Sequence, residues 1–168
     1  MKVLIIDTNI LCVYLKVPYM NDAGPADDKW NYERVSSKIA EEITNKTILV
    51  LPMATLIETG NHIAQANGEI YTIAQDLANI IKKAANEEEP WAAFTFQSEL
   101  WNEENLLKLA DEWPRLAVQK LSIGDTIIKN VAKYYSDAGY QVEILTADQG
   151  LKSYEPATTN TIPRRRKR

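Results

Sequence analysis

Four acidic residues stand at the ends of the apolar segments of the chain, and they are Asp7, Glu58, Asp125 and Asp148. In an open parallel sheet, the carboxyl ends of the strands and the starts of the adjoining helices meet at one crevice. Carboxylates gathered there repel one another unless a hard cation neutralises them, and oxygen ligands suit Mg²⁺ or Mn²⁺. The pattern therefore predicts the site of a metal-dependent phosphodiesterase.

Each acid also has a structural interpretation when it is taken singly. Asp7 can cap the first helix, Asp148 can form a turn, and Glu58 can be a partly buried helical residue. Ser122 and Asp125 fit a capping box. Four such coincidences at one end of a sheet are less expected than one shared site, so we favour the site.

Hydroxyl and amide side chains adjoin the acids in sequence, and they are Thr8, Asn9, Ser122 and Thr146. Groups of this kind donate the hydrogen bonds that orient metal-bound carboxylates, so we predict a supporting role for them. His62 lies four residues after Glu58 and faces the same side of a predicted helix. It can contact substrate, although a lone helical histidine is more often structural.

Strands that alternate with helices are predicted to position these residues. Short apolar runs predict strands at 2–6, 47–51, 141–146 and 159–162. Apolar residues at helical spacing predict helices over about 10–15, 28–45, 52–67, 69–89, 99–112 and 123–137, with a loop at 18–28. This alternation predicts an α/β fold, a three-layer α/β/α arrangement around a central parallel sheet.

Size and composition predict one globular domain, residues 1–162, followed by a basic tail, residues 163–168. The 168 residues are 45% hydrophobic and 25% charged, which is ordinary for a soluble protein. No apolar run approaches the roughly 20 residues of a membrane span, and the apolar N-terminal run is too short for a signal peptide. Cys12 is the only cysteine, which excludes an internal disulfide and predicts a cytoplasmic location.

The charge is distributed unevenly along the chain. The net charge is −4, but the last five residues carry +5, so that the remainder carries −9. A basic terminal block is either a solvated end or a substrate-binding segment that attracts phosphates. The predicted substrate-binding residues are Arg164, Arg165, Arg166, Lys167 and Arg168.

Four short motifs, taken in order, resemble the PIN domain, most closely the VapC-type toxin ribonucleases. They are Ile-Ile-Asp-Thr-Asn at 5–9, Ala-Thr-Leu-Ile-Glu at 54–58, Ser-Ile-Gly-Asp-Thr-Ile-Ile at 122–128 and Leu-Thr-Ala-Asp at 145–148. The resemblance covers most of residues 1–162. Two features depart from the family pattern, namely a longer, tryptophan-rich segment at 66–120 and the basic tail.

The resemblance implies an endoribonuclease that depends on Mg²⁺ or Mn²⁺ and leaves a 5′-phosphate. It implies that Asp7, Glu58, Asp125 and Asp148 are the catalytic and metal-binding acids, with Glu58 either a ligand or the base. It also implies a homodimer and a cognate antitoxin protein. The alternatives are a PIN nuclease for RNA processing or quality control, and a non-cleaving nucleic-acid or protein-binding module, against which the complete set of acids argues.

Overall fold

The computed structural model describes residues 1–92 and 94–157. The predicted strand at 159–162 and the basic tail at 163–168 lie outside the described residues. Within the described ranges, no helix is both long enough and apolar enough to cross a membrane.

The described strands are β1 (Lys2–Ile6), β2 (Asp22–Ala23), β3 (Trp30–Asn31), β4 (Ile48–Val50) and β5 (Gln141–Leu145). Three of them form the parallel sheet at the centre of the protein, in the order β4–β1–β5. Leu4 lies opposite Leu49 on one side and Glu143 on the other. Because all three strands run in the same direction, their carboxyl ends share one edge. β2 and β3 form a separate antiparallel hairpin.

Helices surround this sheet. They are α1 (Thr8–Tyr14), α2 (Tyr32–Thr44), α3 (Met53–Gln65), α4 (Ile70–Ala85), α5 (Glu103–Val118), α6 (Ile123–Asp137) and α7 (Gln149–Lys152), with a 3-10 helix at Phe94–Trp101 before α5. Most of them begin at a side chain that accepts a hydrogen bond from a backbone N–H. Asn31, for example, accepts from Arg34 N–H at 3.0 Å, and this cap explains why α2 begins later than its apolar spacing predicts.

The two faces of the sheet pack against different helices. Leu4 and Ile6 of β1 lie in a buried cluster with residues of α1 to α4, whereas Val3 and Ile5 lie in a second cluster with residues of α6. Successive side chains of a strand point to opposite faces, and here both sets are fully buried. The predicted three-layer α/β/α fold is therefore confirmed.

The tryptophan-rich segment differs most from its prediction. The single helix expected at 99–112 is instead a 3-10 helix followed by α5, which continues through Pro114 to Val118. Asn102 caps α5 by accepting from Asn105 N–H at 2.9 Å, which fixes its start. Before it, residues 90–92 cover the edge of β4: Leu49 N–H donates to Pro90 O, and Ala92 N–H donates to Leu49 O, both at 2.8 Å.

Candidate functional site

Asp7 lies at the carboxyl end of the central strand, where it caps α1. Its Oδ1 accepts from Thr8 N–H at 2.6 Å, and its Oδ2 accepts from the Thr146 hydroxyl at 2.7 Å. The side chain is only 3% exposed. Burial raises the pKa of Asp7 to about 6 against the effect of these two hydrogen bonds, and the charges of Asp125 and Glu58 act in the same direction as burial.

Glu58 lies on α3 and is linked to Asp7 through Thr8. The Thr8 hydroxyl donates to Glu58 Oε2 at 2.8 Å, so Thr8 contacts both acids, one through its backbone and one through its side chain. One turn earlier in α3, the buried Thr55 hydroxyl donates to Ile6 O at 2.9 Å. This bond attaches α3 to the end of β1 and thereby determines where Glu58 lies.

Asp125 lies in the first turn of α6 and forms a capping box with Ser122. The Ser122 N–H and hydroxyl donate to Asp125 Oδ2 at 3.1 and 2.7 Å, and Asp125 N–H donates to Ser122 Oγ at 3.0 Å. The structural interpretation of this pair is therefore correct. Asp125 also lies near enough to Asp7 for its charge to raise the pKa of Asp7, so the capping role and this proximity coexist.

Asp148 is joined to the site through its backbone. Its N–H donates to Thr146 Oγ1 at 3.0 Å, and this hydroxyl is the one that donates to Asp7. Its carboxylate turns away to cap α7, accepting from Gly150 N–H at 2.6 Å and from Leu151 N–H at 3.3 Å. The turn predicted at this position is therefore the start of a short helix.

The structure thus links Asp7 and Glu58 through Thr8 and places Asp125 near enough for its charge to raise the pKa of Asp7, whereas the Asp148 carboxylate caps its own helix. Among the described residues, no group of three or more His, Cys, Asp or Glu stands in an arrangement that would hold a metal ion. The ion pairs within the described ranges also leave these four acids without a basic partner. Carboxylate oxygens without a basic partner suit a hard divalent cation in their chemistry. In their present arrangement, however, Asp7, Asp125 and Asp148 accept helix-capping hydrogen bonds, and Glu58 accepts from Thr8.

The other predicted site residues have different surroundings. Thr8, Ser122 and Thr146 all bond to acids of the set, whereas Asn9 and His62 are exposed. No hydrogen bond joins Asn9 or His62 to an acid within the described part of the chain.

Two contacts at this site escape sequence reasoning. Gly124, at the start of α6, lies directly beneath the Glu58 carboxylate: a Cβ at this position would be 2.1 Å from Glu58 Oε1. Gly24, in the β2–β3 hairpin, has φ +92°, and a Cβ there would be 2.7 Å from Asp28 O and 3.3 Å from Ala147 Cβ. The loop of the hairpin therefore packs against Ala147, the residue that follows Thr146. The only sequence signal for either contact is the glycine itself.

Comparison with known protein families, with curated proteins and with solved structures found no match to this chain.

Proposed function

We propose that the protein is a metal-dependent endoribonuclease of the PIN type that hydrolyses RNA phosphodiester bonds. One observation supports the proposal: Thr8 hydrogen-bonds to both Asp7 and Glu58, and the charges of Glu58 and Asp125 both raise the pKa of Asp7, although the three acids come from elements far apart in sequence. Asp7 lies at the carboxyl end of the central strand, and this edge is where open α/β sheets bind their ligands. Capping explains Asp7 and Asp125 separately, but it does not explain why both Glu58 and Asp125 lie near enough to raise the pKa of Asp7.

Mg²⁺ or Mn²⁺ is the cation that suits carboxylate donors. Asp7, Glu58, Asp125 and Asp148 would hold it after their side chains rearrange, since the Asp148 carboxylate now caps α7. When bound, such an ion supplies Lewis acidity, which lowers the pKa of a water molecule and offsets charge that develops on the phosphate.

The chain's own residues orient the site. Thr8 and Thr146 hold the two oxygens of Asp7, and Thr8 also holds one oxygen of Glu58. The other oxygen, Glu58 Oε1, has no hydrogen-bond partner within the described residues. Glu58 either contributes this oxygen as a ligand or takes a proton from the attacking water. In-line attack of the water on the phosphorus breaks the P–O3′ bond. This leaves a 5′-phosphate on one strand and, once the leaving oxygen takes up a proton, a 3′-hydroxyl on the other.

The biological setting we propose is the cytoplasm, where this chain is the toxin of a type II toxin–antitoxin system, with RNA as substrate, a small antitoxin as partner and a homodimer as its assembly. The supporting observations are the order of the four acidic motifs and the lone, buried Cys12. Burial raises the pKa of the Cys12 thiol to about 11, so that this residue does not act as a nucleophile.

The test is cleavage of RNA by purified protein, with sequencing of the new ends. We expect 5′-phosphate ends that form with Mn²⁺ or Mg²⁺ and not with excess chelator. Asp7→Asn removes a charge with little change of shape and should reduce cleavage by at least ~100-fold. No cleavage with either ion, or equal cleavage by Asp7→Asn, contradicts the proposal.

A further inference from the structure

The Glu58 carboxylate is held from two sides. On one side the Thr8 hydroxyl of α1 donates to Oε2 at 2.8 Å. On the other side Oε1 lies over the backbone of Gly124 in α6, so close that a Cβ there would be 2.1 Å from Oε1 and 3.0 Å from Cδ. Glu58 therefore occupies the space that any other residue at position 124 would fill.

The backbone at Gly124 does not itself require glycine. Its φ lies outside the left-handed range, since the positive-φ glycines are Gly24, Gly68 and Gly139. Gly124 is also buried and lies near the start of a regular helix, where alanine is intrinsically more favourable than glycine. The contact with Glu58 is the feature that accounts for glycine at this position.

Gly60 is a helical glycine that does not contact the Glu58 carboxylate, and it therefore serves as a control. It lies in α3, two residues after Glu58, and a Cβ added there meets nothing within 4 Å. Gly60→Ala and Gly124→Ala thus add the same methyl group to a helix, and only the second methyl meets the carboxylate.

We propose that Gly124 is a positioning residue: its missing side chain sets the place of the Glu58 carboxylate between α1 and α6. The consequence for catalysis rests on the proposed nuclease function, whereas the contact itself does not. A methyl group at 124 cannot share its position with Oε1, so the carboxylate must turn away. The fold tolerates this movement because only the end of a flexible side chain has to shift.

The kinetic test compares the two alanine variants. Gly124→Ala should reduce kcat roughly 10- to 100-fold, the scale of a misplaced catalytic group, with KM within about twofold of wild type. Gly60→Ala should retain wild-type kinetics. Equal kcat for Gly124→Ala and wild type overturns the proposal.

A shorter acid at position 58 distinguishes two explanations for a lower kcat in Gly124→Ala, namely displacement of the Glu58 carboxylate and a general disturbance of α6. Glu58→Asp draws the acid back by one methylene, so that adding Gly124→Ala to it should reduce kcat much less than in the wild-type background. If the methyl group reduces kcat by the same factor in both backgrounds, it does not act through Glu58, and the assignment is wrong.

Thermal unfolding in metal-free buffer tests the contact without any cleavage. Gly124→Ala should lower the midpoint in the wild-type background and leave it equal or higher in a Glu58→Ala background, where the methyl group has room. Equal shifts in the two backgrounds overturn the proposed contact. Because this measurement needs no nuclease activity, an inactive wild-type protein refutes the proposed function, while the unfolding data still decide the role of Gly124.

Discussion

The hydroxyl of Thr146 donates to Asp7 Oδ2 at 2.7 Å across 139 positions of the chain, and it accepts from Asp148 N–H at 3.0 Å. One hydroxyl group therefore joins the ends of β1 and β5 at the candidate site. Because Asp7 and Thr146 are both buried, loss of this hydroxyl leaves Asp7 Oδ2 without its hydrogen-bond donor.

Thr146→Val should lower the free energy of unfolding by about 1–3 kcal/mol, because it removes the hydroxyl at nearly constant volume. It should also raise the pKa of Asp7 further, since the Thr146 bond lowers that pKa in the wild type. Urea denaturation measures the stability. Thr44→Val is the matched control, since that hydroxyl donates to Ala40 O on an exposed helix, and its effect should stay within about 0.5 kcal/mol.

The stability of the metal-free protein should fall as the pH rises from about 4 to about 6. Asp7 has its folded pKa raised from 3.8 to about 6, mainly by burial, so the folded state binds this proton more tightly than the unfolded chain does. The stabilisation that comes from protonated Asp7 is fully present below pH 3.8 and is lost as the pH rises through about 6. It amounts to about 2 to 3 kcal/mol. Asp7→Asn should abolish this component. Parallel stability–pH curves for the two proteins would contradict the assignment.

Glu42 forms ion pairs with Lys2 and Lys38 at the amino end of β1, away from the candidate site. Its contribution to stability should depend on pH in the opposite sense to that of Asp7. Burial of Glu42 acts to raise its pKa, but hydrogen bonds from Lys2, Lys38 and Thr47 lower it to about 2. The stabilisation is present above the ordinary value of 4.5 and is lost as the pH falls toward 2.

Glu42→Gln should therefore lower the free energy of unfolding by about 2 to 3 kcal/mol at pH 7 and much less near pH 3. Chemical denaturation at the two pH values checks this expectation. Cleavage at saturating RNA should not change, because Lys2 and Asp7 lie at opposite ends of β1. A stability loss that is independent of pH would show that packing, and not charge, supplies the effect.

Growth inhibition on expression should depend on the acids of the site. Asp125→Asn retains an oxygen that can accept from Ser122 N–H but loses the charge, so the variant should fold and should fail to arrest growth. Viable-cell counts after induction of wild type and variant at equal protein levels provide the measurement. Arrest by both proteins would point to another mechanism, and arrest by neither would favour a nuclease for RNA processing over a toxin.

Deletion of residues 164–168 should weaken RNA binding and flatten its dependence on salt. Each phosphate that the tail contacts contributes roughly 0.7 to the slope of log affinity against log salt for single-stranded RNA. The cleavage rate at saturating RNA should stay nearly constant. Binding measured at several salt concentrations, with and without the tail, tests this prediction, and an unchanged slope would show that the tail does not contact RNA.

The sequence by itself determined the elements whose information is local. β1 at Lys2–Ile6 and α6 at Ile123–Asp137 match their predicted bounds, because an apolar run and a capping box are both contained within a few neighbouring residues. The places of Asp7 and Asp148 after strands and of Asp125 at a helix start were also visible, because apolar runs and a capping box locate them. The course of the chain after residue 90 was not, because its contact with β4 joins Ala92 to Leu49, which lies far away in the sequence.

Only the tertiary structure decided what each acid contacts. The sequence shows that Glu58 follows a strand, but not that Thr8 binds it across 50 positions or that Gly124 lies beneath it. It shows that Asp148 ends a strand, but not that its carboxylate turns toward Gly150. The physical reason is that a side chain's partners are set by the packing of whole helices on the sheet, whereas spacing along the chain sets only the strand or helix on which the side chain lies.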